Sequence, residues 1–445
     1  MATQEYPSEP LWWAAYEADV AERYARAGLT FPDNPAAFRW FSRTGFDIGA
    51  GMTAEQSKAK HLRELEQVLG LTPNPNPPAP GDPSVVRGRL RVNGPRFVDD
   101  AGPWRWKLVT AFGAFQRFCA GEYIADYRDW TTAVGGNGWR VLGGFGANPF
   151  RPEFDYRKTS GYFDRLDQFC ALTRDWGLRL EFVAVCDSIP LKEDDQRGHL
   201  NRCADVLARY DHTLLQLANE PWKNGLDPLR FDIRRDGLLV SRGAHQTDNQ
   251  QATPYVPSLG YTTYHPPRSA DWPRKVGKDC REIRGGYDGF PGTGDVVISD
   301  EPMGAAEEMK PGSRSNNPRE FFCAGVAGAL FTPGVTGHGD SSTMQRAQVP
   351  GPIETACIRE LFRGLDLVPL DAPTWTYARY GNANPGVPMP VQPPSTGEDG
   401  RMHAMLGERA GVVCSYDDFD TDWRAEGRNG WRVVEQHGPL VLVER

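Results

Sequence analysis

The sequence predicts an α/β fold, a parallel sheet with helical crossovers, preceded by a helical N-terminal module and followed by a small C-terminal β domain. Three observations carry that prediction. Short apolar runs alternate with amphipathic stretches from Val85 to about residue 366, the pitch of successive strand and helix units. Two of the runs stop abruptly on an acid and a proline, Leu214-Leu215-Gln216-Leu217-Ala218-Asn219-Glu220-Pro221 and Val296-Val297-Ile298-Ser299-Asp300-Glu301-Pro302. An apolar run bounded by polar turn residues reads as a buried parallel strand, and the edge where such strands end is where catalytic groups usually lie. Beyond Leu370 the pattern changes to alternating strands separated by turns at Gly381-Asn382, Gly400, Asn429-Gly430 and His437-Gly438-Pro439.

Composition bounds the function. A chain of 445 residues is long for one core, and its 39% hydrophobic and 11% aromatic content is enough to fill a main domain with attachments. The net charge is -8 and no long Lys/Arg cluster occurs, so there is no footprint for nucleic acid or anionic lipid, and a neutral or polar substrate fits better. Met1-Ala2-Thr3-Gln4-Glu5-Tyr6-Pro7 lacks the basic start and apolar centre of a secretory signal. No run approaches the ~18 apolar residues of a membrane span, and the expectation is a soluble chain in the cytosol, released by lysis, or attached to a particle. The eight cysteines show no C-x-x-C spacing and read as buried thiols. The eight histidines show neither H-x-x-x-H nor H-x-H spacing, so no metal is expected, and no cofactor either.

In chain order, residues 1–71 read as a helical module: Ser8-Glu9-Pro10 starts one helix, and Thr53-Ala54-Glu55-Gln56 has capping-box spacing ahead of another. Residues 72–84 are rich in prolines, which fix φ and remove donors, giving an extended spacer. The module either caps the next domain or anchors the chain to an assembly partner. Arg89–Val92 and Arg96–Asp99 read as a hairpin plugging the bottom of the body over 85–366. Strands follow at 106–110, 138–142, 178–185, 214–218, 238–241, 261–265, 296–300 and 334–338. Helices are expected at 123–134, 162–176, 200–210, 318–330 and 353–365, the last two with amphipathic spacing, whereas the stretch from Gln246 to Pro257 is polar and not helical. Residues 367–445 form the small β-sandwich-like domain.

Two strand-end glutamates invite a two-carboxylate mechanism. Eight strand and helix units with Asn-Glu-Pro at the fourth strand and Asp-Glu-Pro at the seventh resemble the clan A glycoside hydrolases, the (β/α)8 TIM-barrel enzymes that include cellulases, mannanases and related β-glycanases. The resemblance spans about residues 85 to 365 and implies a retaining hydrolase acting on a β-linked glycan. By the family pattern Glu220 is the acid/base, Glu301 the nucleophile, and Asn219 hydrogen-bonds the hydroxyl beside the reacting carbon. Retaining cleavage needs one carboxyl protonated and one ionised, about 5 to 5.5 Å apart. A cation beside Glu301 would divide them, and Arg140, which interrupts an apolar strand, either fills that place or snorkels to solvent.

Tyr264 and His265 close the sixth strand, where the clan often sets a tyrosine or histidine against the nucleophile. Adjacent residues face opposite sides, so one of the pair points inward, and Tyr264 is the favoured one. Trp222 and Trp272 either stack on sugar faces or pack. His245 and His338 are further candidates for hydroxyl contacts. The chain departs from the family 5 cellulase pattern in carrying Cys186-Asp187-Ser188 where a histidine is usual and in lacking tryptophan from Gly334 to Asp340. The competing expectation is a carbohydrate-binding or structural protein of a larger assembly such as a phage tail.

Overall fold

A three-stranded antiparallel sheet opens the body: β1 (Arg91–Asn93), β2 (Arg96–Asp99) and β3 (Gly102–Trp104), one strand more than the expected hairpin. Its Phe97 is buried with Trp106, Leu108, Leu214, Tyr261, Val296 and Ile298, and its ring stacks on Trp106 at 5.7 Å between centroids. Several of those partners sit at or near the start of a parallel strand, so the sheet closes the end from which the strands run.

The parallel strands come next. β4 (Leu108–Thr110), β5 (Gly138–Leu142), β6 (Arg179–Val185), β7 (Thr213–Ala218) and β8 (Val240–Ser241) pair in that order. β9 (Ala244–Gln246), β10 (Tyr261–His265) and β11 (Val296–Ser299) form a second parallel set. β8 and β9 are halves of one segment broken at Gly243, where φ is +130° and a Cβ would stand 2.5 Å from the Ala218 carbonyl oxygen, a place only glycine fills. Single parallel bridges, Ser299 to Val335, Trp106 to Gly334 and Val109 to Gly337, then join the last strand back to the first. Among the described residues, eight parallel segments therefore close into a ring. The eighth, expected as a strand over 334–338, is held by single bridges.

Helices α1 (Ala114–Cys119), α2 (Ala125–Ala133), α3 (Tyr162–Asp175), α4 (Glu193–Leu207), α5 (Trp272–Gly285), α6 (Pro318–Phe331) and α7 (Pro352–Leu367) accompany the ring. α6 starts where Asn317 accepts the Arg319 N–H at 3.1 Å ahead of Pro318. It is not amphipathic as expected: every residue from Phe321 to Phe331 is buried. The reason is packing from several directions: α7 and α5 lie against it, the turn at Ala372–Thr374 touches it, and so does the C-terminal sheet. The C-terminal strands β12 (Thr376–Arg379), β13 (Met402–Leu406), β14 (Ala410–Ser415), β15 (Arg432–His437) and β16 (Leu440–Glu444) make one antiparallel sheet in the order β12-β13-β14-β16-β15. β14 contacts α6, and Leu440 is buried in the main core.

The computed structural model describes residues 86–146, 153–186, 193–221, 227, 230–246, 260–266, 272–287, 290–291, 296–307, 314–339, 347–374, 376–379, 402–406, 410–415, 432–437 and 440–444, with 16, 18–23, 25, 58–59 and 62 near the N-terminus. Those N-terminal residues are helical, and Lys58 Nζ meets Asp19 Oδ2 at 2.6 Å. The rest of the N-terminal module, the proline-rich spacer and the stretch 247–259 lie outside the described residues. No helix among the described residues is long and apolar enough to cross a membrane.

Candidate active site

Side chains alternate along each strand, and the alternation decides what enters the ring. On β10, Tyr261 and His265 point in while Tyr264 points out. On β11, Val296 and Ile298 point in, and Asp300 continues that face just past the strand. Arg140 of β5 lies in direct register with Glu181 of β6, and Gln216 is the inward polar residue of β7. Groups from β5 and β6 touch groups from β10 and from the end of β11 across the ring, which places them inside.

Arg140 is the centre of the arrangement and has no exposed surface. Its Nη1–H donates to Glu301 Oε1 at 2.7 Å, and its Nη2–H donates to Asn219 Oδ1 at 2.9 Å and to Gln216 Oε1 at 3.0 Å. Asp300 Oδ2 lies 3.0 Å from Nη2, and Glu181 Oε2 lies 3.5 Å from Nε. The guanidinium also lies over the Phe112 ring, 5.1 Å from its centroid. Burial works against the charge on Arg140, but Asp300, Glu301 and Glu181 more than offset it and hold the guanidinium above its ordinary pKa. Burial pushes the Glu181 carboxyl up to about 8 despite Arg140, and Tyr261 donates to its Oε1 at 2.7 Å.

His265 is the second cation of the site. Its Nε2 is 3.3 Å from Asp300 Oδ1, and its Nδ1 is 3.5 Å from Glu220 Oε1 and 3.6 Å from Glu301 Oε2. Burial would lower the imidazole, but Glu301 and Asp300 beside it prevail and raise it to about 9. Glu220 and Glu301 are the more accessible members, with side chains 14% and 8% exposed against none for Asp300. They form the solvent-facing lip of a buried charged layer. Glu220 has φ +44°, a conformation unusual for a residue other than glycine and more so ahead of a proline. The arrangement can present two carboxyl groups and an imidazole N–H to one bound molecule. Among the described residues no cluster of three or more His, Cys, Asp or Glu side chains is arranged to hold a metal ion.

The structure brings Glu220, Glu301, Asn219, Arg140 and His265 together. It corrects the choice within the sixth strand: Tyr264 turns outward, its hydroxyl donating to Asp279 of α5, and packs with Cys280, Ile283 and Val297. Trp272 takes the second of its two expected fates, packing. It lies at the start of α5, buried, with its indole N–H 3.3 Å from Glu320 and its ring edge-on to Phe321 at 5.0 Å, and not in a substrate loop. His338 is buried, its ring 5.9 Å from that of Phe112, the ring over which Arg140 lies. His245 lies on β9 beside Tyr264, with its side chain outside the described residues, as is all of Trp222. The reading of the sequence passed over Asp300, Glu181 and Gln216. Each stands on the inward face of its strand.

No family model matches the chain, and no curated protein matches it in sequence. Solved structures do match in shape. A candidate glycoside hydrolase from Bacteroides vulgatus ATCC 8482 is similar at 13% identity and a TM-score of 0.51, over 80% of this chain and 70% of that one. A glycoside hydrolase family 5 protein from the same organism matches at 11% identity and a TM-score of 0.48, over 80% of this chain and 93% of that one. A β-glucanase from Saccharophagus degradans matches at 14% identity and a TM-score of 0.45, over 66% of this chain and 98% of that one. At such identities the likeness is one of fold alone.

Proposed function

We propose that the chain is a retaining glycoside hydrolase that cleaves β-glycosidic bonds of a polysaccharide or oligosaccharide by double displacement, its ring being a (β/α)8 barrel. The observation that carries the reading is the approach of Glu220 Oε1 and Glu301 Oε2 to the same nitrogen, His265 Nδ1, at 3.5 and 3.6 Å. Two atoms so placed are at most about 7 Å apart, compatible with the ~5–5.5 Å of retaining pairs and below most of the ~6.5–9.5 Å range of inverting ones.

In this reading Arg140 anchors Glu301 by Oε1, and Oε2, the oxygen on Glu220's side, attacks the anomeric carbon. Glu220 gives its proton to the departing glycosidic oxygen as that bond breaks. Glu220 then takes a proton from water, whose oxygen displaces Glu301 and releases the sugar. Asn219, held by Arg140, donates its amide N–H to the neighbouring hydroxyl.

The test is hydrolysis of a panel of β-glycans by the full chain, with Glu220→Gln and Glu301→Gln as controls. Trapping with a 2-deoxy-2-fluoro glycoside should add one sugar to Glu301, read by peptide mass spectrometry. Binding to glycans without turnover of any would favour the carbohydrate-binding or structural role instead.

A further inference from the structure

We infer that Asp300 is a positioning residue, whose buried carboxylate bridges Arg140 and His265 and so sets the imidazole with Nδ1 between Glu220 and Glu301. Asp300 and Glu301 are consecutive, yet their carboxylates span the same two cations. Asp300 does so through Oδ2 to Arg140 Nη2 at 3.0 Å and Oδ1 to His265 Nε2 at 3.3 Å. Glu301 does so through Oε1 to Arg140 Nη1 at 2.7 Å and Oε2 to His265 Nδ1 at 3.6 Å. The four side chains form a closed ring of alternating charge. Each ring nitrogen thus has a carboxyl oxygen at ion-pair distance, Asp300 at Nε2 and the two glutamates at Nδ1.

The inference rests on the proposed roles of Glu220 and Glu301 for its effect on turnover. During double displacement Glu301 loses its charge on becoming an ester, and Glu220 gains and loses a proton. Asp300 is the carboxylate in contact with His265 that does not react. It can hold the ring through the cycle with Nδ1 within 3.5 Å of Glu220 and 3.6 Å of Glu301. The charged and titratable groups around His265 are Glu220 from the end of β7, Asp300 and Glu301 after β11, Glu181 from β6, Arg140 from β5, and Tyr261 from its own strand.

The experiment is NMR of the full chain with 15N-labelled histidine, the His265 signals assigned by their loss in His265→Gln. In the wild type the ring should carry protons on both nitrogens at pH 7. In Asp300→Asn, which keeps the volume and loses the charge, its titration midpoint should fall by about 1–3 pH units. A wild-type ring that is neutral at pH 7, or a midpoint in Asp300→Asn within a few tenths of the wild type, would overturn the inference. Should Asp300→Asn not fold, the wild-type ring decides: neutral overturns, doubly protonated with Nε2–H slow to exchange sustains. On a turned-over glycan, kcat of Asp300→Asn should drop by about 10- to 100-fold with KM little changed. If no glycan is turned over, the hydrolase reading fails while the NMR result stands by itself.

Discussion

Arg140 and Glu301 start from non-adjacent strands, one on β5 and one just beyond β11, and meet inside the ring at 2.7 Å. The same guanidinium faces Asp300 and Glu181, so its removal leaves three carboxyl groups, two of them with no exposed surface, without their shared cation. Breaking a buried pair by deleting one partner typically costs about 3–5 kcal/mol. Arg140→Met should lose at least that much in urea denaturation, and Arg140→Lys less. An Arg140→Met chain as stable as the wild type would mean that the guanidinium is not the counter-charge of this layer.

Glu220 holds a left-handed backbone at φ +44°, which costs about 1–2 kcal/mol for an ordinary L-residue. Asparagine tolerates that region better. Glu220→Gln and Glu220→Asn both remove the carboxylate, so the difference between them isolates the backbone. Glu220→Asn should be the more stable by about 1 kcal/mol in thermal melts, and both should lose most turnover. Equal melting temperatures would refute stored strain at this position.

Much of this site is legible in the sequence because a buried strand advertises its exceptions. Arg140 inside Trp139-Arg140-Val141, and Asn219-Glu220 closing an apolar run, stand out by residue type alone. The same rule applies to Glu181 between Leu180 and Phe182, to Gln216 between Leu215 and Leu217, and to Asp300, two steps beyond Ile298. What the sequence lacks is phase and register. Strand alternation says that one of Tyr264 and His265 enters the ring, but the choice depends on Tyr261, whose hydroxyl reaches Glu181 from the inward face. Likewise the pattern of α6 suggests an exposed side, and its complete burial follows from tertiary neighbours, α5, α7 and the C-terminal sheet, that periodicity does not show.

The α6 and α7 helices approach closely where each carries a glycine. A Cβ on Gly325 would stand 2.1 Å from the Leu361 carbonyl oxygen, and one on Gly364 would stand 2.3 Å from that of Phe322. Two opposing effects can be separated here. Helix propensity alone favours Gly→Ala by about 1 kcal/mol, whereas forcing the helices apart costs about 1–3 kcal/mol. Backbone oxygens cannot swing aside as a flexible side chain can, so the clash should prevail. Gly325→Ala is expected to melt several degrees lower than the wild type, and a melt at or above the wild-type temperature would show that the crossing is looser than described.

The buried layer should also make stability fall on the alkaline side. His265, raised from 6.5 to about 9, binds its proton more tightly in the folded chain. Its contribution is therefore full below pH 6.5 and is lost as pH climbs through about 9. Glu181, raised from 4.5 to about 8 by burial, acts with the same sign, its contribution full below pH 4.5 and lost as pH climbs to about 8. His212 and His199, lowered by burial to about 3 and about 4, act oppositely, contributing above pH 6.5 and losing that contribution as pH falls toward those values. Melting temperature should thus decline from about pH 6.5 to pH 9. Glu181→Gln keeps an acceptor for Tyr261 and has no proton to release, so its decline should be shallower below pH 8. His265→Gln should flatten the span between 6.5 and 9. If the wild-type melting temperature is level or rising across that range, the charged layer does not hold its protons as its geometry requires.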